Sequence, residues 1–430
     1  MSAKGLSGRP LFLVFEPTNH IYQVIEAADR RGFDTVVFHT IPILTAGPYG
    51  ECSKAIAVSH NVGSWDDQDA CLATVLELCA GRTVAGTYAA QEITLELEAR
   101  VQEHFGLPTK GLRTIRELLD KVTVRRRLAD AGLSALRVFD EAQANTLTEW
   151  PVGDRALFFK PVHGAGSAYV RRCTTLDEVR ACAGRWRSDD KGAIPVLGPY
   201  LELGSFFLEE EATGELLSVE GFVVDGEYTA LGLTSRTVLA RDVSVEMGIS
   251  YPYEHPRRAD IVDFVTRVHA ALGITHGATH VEVMVPPGDG PVEVVEVNLR
   301  FIGADALATM NAAYGTTLED DLVALAIGER PRLGLRAERV ASLHFLLPPR
   351  GLRRLDSFRL AADGLPFVKI IKPPGTELAS TDRQIDWIAA YIVCGDTYEE
   401  SFARAIDIRR RTLVNGEPLG DDPNNVVIGR

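Results

Sequence analysis

His280-Val281-Glu282-Val283 and, fourteen residues beyond Glu282, Glu296-Val297-Asn298-Leu299-Arg300 decide how this 430-residue chain is read. Both segments alternate apolar and polar residues as strands do. Pro286-Pro287-Gly288-Asp289-Gly290-Pro291 between them is a turn signal, so the two should pair as an antiparallel hairpin. Alternation puts His280, Glu282 and Met284 on one face, together with Glu296, Asn298 and Arg300. Val295, Val297 and Leu299 then point the other way. Any one of these polar residues could be a solvated residue of an edge strand. As a set, flanked by Val281, Val283, Val285, Val292 and Val294, they lie in a half-buried sheet, where unpaired charge is costly. Carboxylate and amide oxygens are the donors Mg2+ takes, and an arginine beside them suits phosphate. Glu282, Glu296 and Asn298 are therefore the candidate metal ligands.

The chain is too long for one ordinary core and should divide into several units. Its net charge of −14 disfavours nucleic acid or an anionic membrane surface as a partner. Six cysteines without metal-ligand spacing, a polar N-terminus and no long apolar run point to a cytoplasmic protein with reduced thiols. Leu11 to Phe15, Thr35 to Phe38, Ala55 to Val58 and Thr83 to Gly86 read as strands alternating with helices. The pattern is that of a parallel-sheet α/β domain over residues 1–112. Residues 113–330 mix helices with antiparallel strands, beginning with one helical run from Arg113 to Ala131 and including a hairpin around Asp225-Gly226. Residues 331–430 read as a small third α+β unit.

Lys160-Pro161-Val162-His163-Gly164-Ala165-Gly166-Ser167 sets a lysine at a strand end before a small-residue loop. Glycines let backbone N–H groups approach phosphate oxygens, Ser167 adds a hydroxyl and Lys160 a point charge. The loop follows neither the dinucleotide nor the Walker pattern, and taken alone it is equally an ordinary hairpin. Lys121, within Asp120-Lys121-Val122-Thr123-Val124-Arg125, is by default a surface lysine. It gains interest only beside Lys160, as a second cation reaching one polyphosphate.

Taken in order, several segments resemble the ATP-grasp superfamily, and within it the carboxylate-amine ligases that include bacterial L-amino acid (dipeptide) ligases. They are Asp120-Lys121 with Arg125 to Gly132, Phe159-Lys160-Pro161 with Gly164 to Ser167, Ser218 to Gly226, His280-Val281-Glu282, and Glu296 to Arg300 with Gly303-Ala304-Asp305. The resemblance implies an ATP-grasp fold: an N-terminal parallel-sheet domain, central ATP-binding subdomains with a lid over about 135–200, and a small C-terminal α+β domain. It implies ATP and Mg2+ (or Mn2+) as cofactors, with Lys121, Lys160, Gly164, Gly166 and Ser167 on the phosphates. Glu282, Glu296 and Asn298 would hold the metal, and Arg300 would steady an acyl phosphate. The adenine is expected on a linking strand around Val196 to Glu202, with Tyr200, Leu201 and Glu202 as its contacts. Gly198-Pro199-Tyr200 departs there from the family's Glu-Glu-Tyr, and Gly204 to Glu215 reads as an inserted stretch.

The activity implied is ATP-dependent amide bond formation between an amino acid or other small carboxylic acid and an amine, with ADP and phosphate released, in an enzyme that relatives of this kind suggest is a homodimer. Arg236, Glu246, His276 and Asp305 are the substrate-facing candidates, against the plainer reading that they are structural. Two alternatives stand beside this one. One is a biotin-carboxylase or purine-pathway type of ligase; the other is a nucleotide-binding regulatory protein without turnover.

Overall fold

The computed structural model describes residues 5–164, 169–187, 204–381, 383 and 386–429, the side chain of residue 244 excepted. Four strands open the chain: β1 (Leu11–Phe15), β2 (Asp34–His39), β3 (Ile56–Asn61) and β4 (Val84–Ala89). They are parallel and ordered β3-β2-β1-β4, as the apolar runs require. β1 is buried along its whole length because helices cover both faces: α1 (Ile21–Arg30), α2 (Gln68–Leu78) and α3 (Glu92–Phe105). The chain reverses between β1 and β4, so the loops after these strands flank a crevice, where ligands of open parallel sheets commonly sit.

The expected helix from Arg113 to Ala131 is two helices, α4 (Leu112–Leu119) and α5 (Lys121–Asp130). Asp120 separates them and caps α5, its side chain accepting from the Thr123 N–H. Lys121 consequently occupies the first turn of a new helix.

A small sheet follows, built from β5 (Val138–Asp140), β6 (Leu157–Pro161), β7 (Arg171–Cys173) and β8 (Phe206–Glu210) in the order β5-β8-β6-β7. Helices α6 (Glu141–Thr146) and α7 (Leu176–Arg187) pack on it. The stretch read as an insertion contains β8, one of the two inner strands of this sheet. The strand expected over Val196 to Glu202 lies outside the described residues. The small sheet passes into the large one through Glu211 to Gly214.

The large sheet has nine strands among the described residues. β9 (Glu215–Val224) and β10 (Glu227–Leu239) form the expected hairpin, and Asp225 and Gly226 both adopt the positive φ that a tight two-residue turn demands. β11 (Asp242–Tyr251), α8 (Arg258–Leu272), β12 (Gly277–Val285), β13 (Glu293–Asn298), α9 (Ala306–Tyr314) and α10 (Glu319–Ala326) continue the chain; α9 was not anticipated. Strand order is β13-β12-β9-β10-β11, and the sheet then runs on into β14 (Val340–Leu346), Ala389–Gly395 and Phe367–Ile370. The region 331–430 thus extends the central sheet while keeping a core of its own around Leu346, Tyr391 and Ile408. Gly248 permits the join, since a Cβ there would lie 2.1 Å from the Leu343 carbonyl oxygen. One face of β9, β12 and β13 buries Leu217, Val219, Val281, Val283 and Val297 against Ile261, Val265 and Val268 of α8. The opposite face carries the polar residues.

Candidate active site

Glu282 lies directly opposite Glu296 across the β12–β13 hairpin, and His280 lies opposite Asn298. The predicted face therefore forms, with one irregularity: Val283 pairs with Val294, so β13 bulges between Val294 and Glu296. Val295 is displaced by this bulge and is half-buried, while Val294 takes the core position expected of it.

β9 and β10 supply the partners of Glu282. His280 Nδ1 is 3.0 Å from a carboxylate oxygen of the fully buried Glu220, and its Nε2 is 3.4 Å from Glu282 Oε1. Burial alone would push the imidazole down, but the Glu220 carboxylate outweighs it and raises His280 to about 9. It is therefore an imidazolium at neutral pH. Arg236, buried on β10, donates to Glu282 Oε1 at 2.9 Å and to Ser218 Oγ at 3.1 Å, and sits 3.3 Å from Glu246. Against the upward pull of burial, His280 and Arg236 hold the Glu282 carboxyl well below the usual carboxylate range. Arg236 and Glu246 thus lie on the same face of the sheet as Glu282.

Glu296 is partnered from outside the sheet. Lys121 Nζ lies 3.2 Å from Glu296 Oε1 and donates to the Gly164 carbonyl at 2.7 Å. The surface-lysine reading is thereby replaced: the break at Asp120 turns Lys121 inward, to 26% side-chain exposure, between β13 and the small-residue loop. Gly166 and Ser167 lie outside the described residues, as do Tyr200, Leu201 and Glu202. Lys160, at the end of β6, lies 3.2 Å from Glu209 Oε2 on β8.

Arg300 is held by Glu92 in the first turn of α3, its Nε donating to Glu92 Oε1 at 2.8 Å. Although burial opposes it, Arg300 keeps the Glu92 carboxyl below its ordinary range. Beside them His20 is buried, with Nε2 3.1 Å from the Tyr88 hydroxyl. These residues follow β1 and β4, so Arg300 reaches into the crevice of the first sheet from the end of β13.

Two substrate candidates have structural partners, as the plainer reading expects. His276 Nε2 is bonded to the Leu325 carbonyl at the end of α10, at the far end of β12 from Glu282, and takes part in packing between those elements. Asp305 is buried and already engaged by the Tyr49 hydroxyl and by Lys369 Nζ at 3.3 Å, so it closes a junction between three chain regions and is not open to an incoming amine. Two residues with clear placement were missed by sequence reasoning. Glu92 lies 208 positions from Arg300, and Glu209 sits in the stretch read as inserted.

The donor chemistry fits a hard divalent cation. Among the described residues no cluster of three or more His, Cys, Asp or Glu is placed to hold a metal. The set here is two facing carboxylates and a carboxamide, and the buried Asn298 side-chain nitrogen has no hydrogen-bond partner. Such a set supplies only part of a coordination sphere, which suits Mg2+ completed by phosphate oxygens and water.

Comparison with known proteins gives a family match for the central part of the chain. Residues 155–308 match the ATP-grasp domain. That segment is an ATP-grasp domain. Its fold is similar to that of an L-amino acid ligase from Bacillus licheniformis, with a TM-score of 0.77 and 17% identity over 96% of this chain and 100% of that one. In sequence it is 27% identical to the uncharacterized protein y4rH of Sinorhizobium fredii over 72% of this chain and 63% of the relative. It is 21% identical to the alanine–anticapsin ligase of Bacillus subtilis over 54% of this chain and 53% of that protein. The chain thus spans less than two thirds of the length of these curated relatives. No helix among its described residues is long and apolar enough to cross a membrane.

Proposed function

We propose that this chain is a cytoplasmic ATP- and Mg2+-dependent ligase that joins a small carboxylic acid, most simply an amino acid, to an amine. The observation that carries the proposal is the pairing of Glu282 with Glu296 across one hairpin, with Lys121 bridging Glu296 and the Gly164 loop. The similarity to amino acid and alanine–anticapsin ligases supports the choice of substrate class.

The chemistry needs no protein nucleophile. A substrate carboxylate oxygen attacks the γ-phosphorus of ATP, the bond to the β,γ-bridging oxygen breaks, and ADP leaves. The amine then attacks the acyl carbon, phosphate departs, and an amide remains. Each step builds negative charge that positioned cations stabilise. Lys121 and Lys160 would hold the phosphates after exchanging their carboxylate partners for phosphate oxygens. Glu282, Glu296 and Asn298 would hold Mg2+, which neutralises β- and γ-phosphate charge when bound. Arg300, set on Glu92, would steady the acyl phosphate oxygens at the mouth of the crevice. The strand expected to carry the adenine, residues 196–202, lies outside the described residues; the end of β8 and Glu211, where the small sheet passes into the large one, are our alternative placement for it.

The test is incubation with ATP, Mg2+ and pools of carboxylic acids, first with hydroxylamine as the amine and then with amino acids. Acid-dependent hydroxamate with stoichiometric ADP and phosphate is expected. AMP and pyrophosphate would overturn the mechanism, and nucleotide binding without turnover for any acid would favour the regulatory reading.

A further inference from the structure

We infer that Arg125 is a positioning residue that sets the spacing between the phosphate lysine of the lid and the metal-bearing strand, an inference that rests on the ligase reading above. The bulge in β13 interrupts the ladder and turns backbone carbonyls out of it. Arg125, 5% exposed, reaches them from α5: one terminal nitrogen donates to the Val294 carbonyl at 2.5 Å, the other to the Val295 carbonyl at 2.7 Å. That second nitrogen also donates to Glu209 Oε1 at 2.7 Å. The other carboxylate oxygen of Glu209 takes Lys160 Nζ.

A continuous path therefore runs from the strand bearing Glu296, through Arg125 and Glu209, to Lys160. Lys121 and Arg125 are four residues apart on α5 and so project from one face of it. One helix thus fixes Glu296 through Lys121 and the bulge behind Glu296 through Arg125. Only a planar fork with several donors spans two carbonyls and a carboxylate; a lysine in its place satisfies one or two of the three. With Arg125 gone, Glu209 retains Lys160 as its remaining cationic partner and competes with phosphate for it. Nucleotide binding, rather than folding alone, then registers the loss.

The experiment titrates ADP in the presence of Mn2+, reading bound Mn2+ by electron paramagnetic resonance and affinity by calorimetry, on the full chain and on folded variants checked by thermal melts. Arg125→Lys is expected to weaken Mn2+-ADP binding about tenfold, which corresponds to about 1.4 kcal/mol. Glu209→Asp, which keeps the charge but shortens the bridge, should do the same. In a Lys160→Met background Arg125→Lys should add less than about threefold, because both act through one path. Wild-type affinity in Arg125→Lys, or losses that multiply in the double variant, would overturn the inference while leaving the ligase reading intact. A wild-type chain that binds no Mn2+-ADP would overturn both.

Discussion

Glu282 and Glu296 face each other across a single hairpin, yet the two sides of it are built differently. Glu282 is wired into its own sheet by Arg236 and His280, which are fixed in turn by Ser218, Glu246 and Glu220. Glu296 has Lys121, delivered by a helix from another part of the chain. The first arrangement is preorganised, and its cations cannot leave without stranding a buried charge. The second is an exchangeable ion pair, since Lys121 can move from carboxylate to phosphate at little cost. One side of the site is a scaffold and the other is a latch.

The largest effect should come from Glu296→Gln. Loss of one carboxylate of the proposed metal site is expected to lower turnover on the order of a thousandfold, while the melting temperature stays near that of the wild type because Lys121 is free to turn toward solvent. Glu282→Gln should also stop turnover but differ in stability, losing about 2 kcal/mol because the buried Arg236 and His280 lose the negative charge of their shared carboxylate partner while keeping Glu246 and Glu220. Urea unfolding of the two variants side by side breaks the comparison if their stabilities match.

The scaffold half was legible in the sequence and the latch half much less so. Period-two alternation around a Gly/Asp/Pro turn leaves little freedom for where Glu282 and Glu296 point, and the apolar β1 to β4 runs have few alternatives to a parallel sheet. Pairings between distant elements carry no such local signature. Nothing near Glu92 announces Arg300, and Lys121 looked like a surface residue because the break at Asp120 is hidden within a continuous amphipathic run. Asp120, an N-cap residue type set directly before the run from Lys121 to Leu128, is a helix-start signal that could have found it. The bulge at Val295 was invisible for another reason: its stability depends on carbonyl acceptors being met by Arg125, which is 170 residues away. Glu209 lies in the stretch read as an insertion, and its partners Arg125 and Lys160 are 84 and 49 residues away.

Whether the scaffold principle extends to Arg300 can be read from pH. Burial, and then the nearby Arg300 cation, lower His20 from its ordinary value near 6.5 to about 3. A group with a depressed folded pKa, neutral when buried, contributes stability above pH 6.5 that is lost as pH falls through that value. Each unit of difference is worth about 1.4 kcal/mol, so the native state should lose about 2 kcal/mol between pH 7 and pH 5 on this account. In His20→Gln the difference between urea unfolding at pH 7 and at pH 5 should shrink by about that amount. An unchanged difference would show that His20 protonates freely beside Arg300.

Lys121→Met tests the latch directly. An about tenfold rise in the KM for ATP is expected, with unfolding free energy within about 0.5 kcal/mol of wild type, since a partly exposed ion pair contributes little to folding. A stability loss comparable to that of Glu282→Gln would mean that Lys121 is scaffold after all.

The smallest effect isolates what aims the latch. The Asp120 side chain accepts from the Thr123 backbone N–H, and also from its hydroxyl at 2.9 Å, fixing the first turn of α5 where Lys121 begins. Asp120→Ala removes that cap, at a cost of about 1 kcal/mol to the helix. Because the fraying is confined to the first turn, Lys121 loses its aim while Arg125, a turn further along, keeps its grip on the β13 bulge. The KM for ATP should therefore rise by about threefold, less than in Lys121→Met, and Asp120→Asn, which retains an acceptor for Thr123, should restore most of it. If Asn fails to rescue, the carboxylate acts by its charge, and Lys121 is aimed by electrostatics rather than by the geometry of a capped helix.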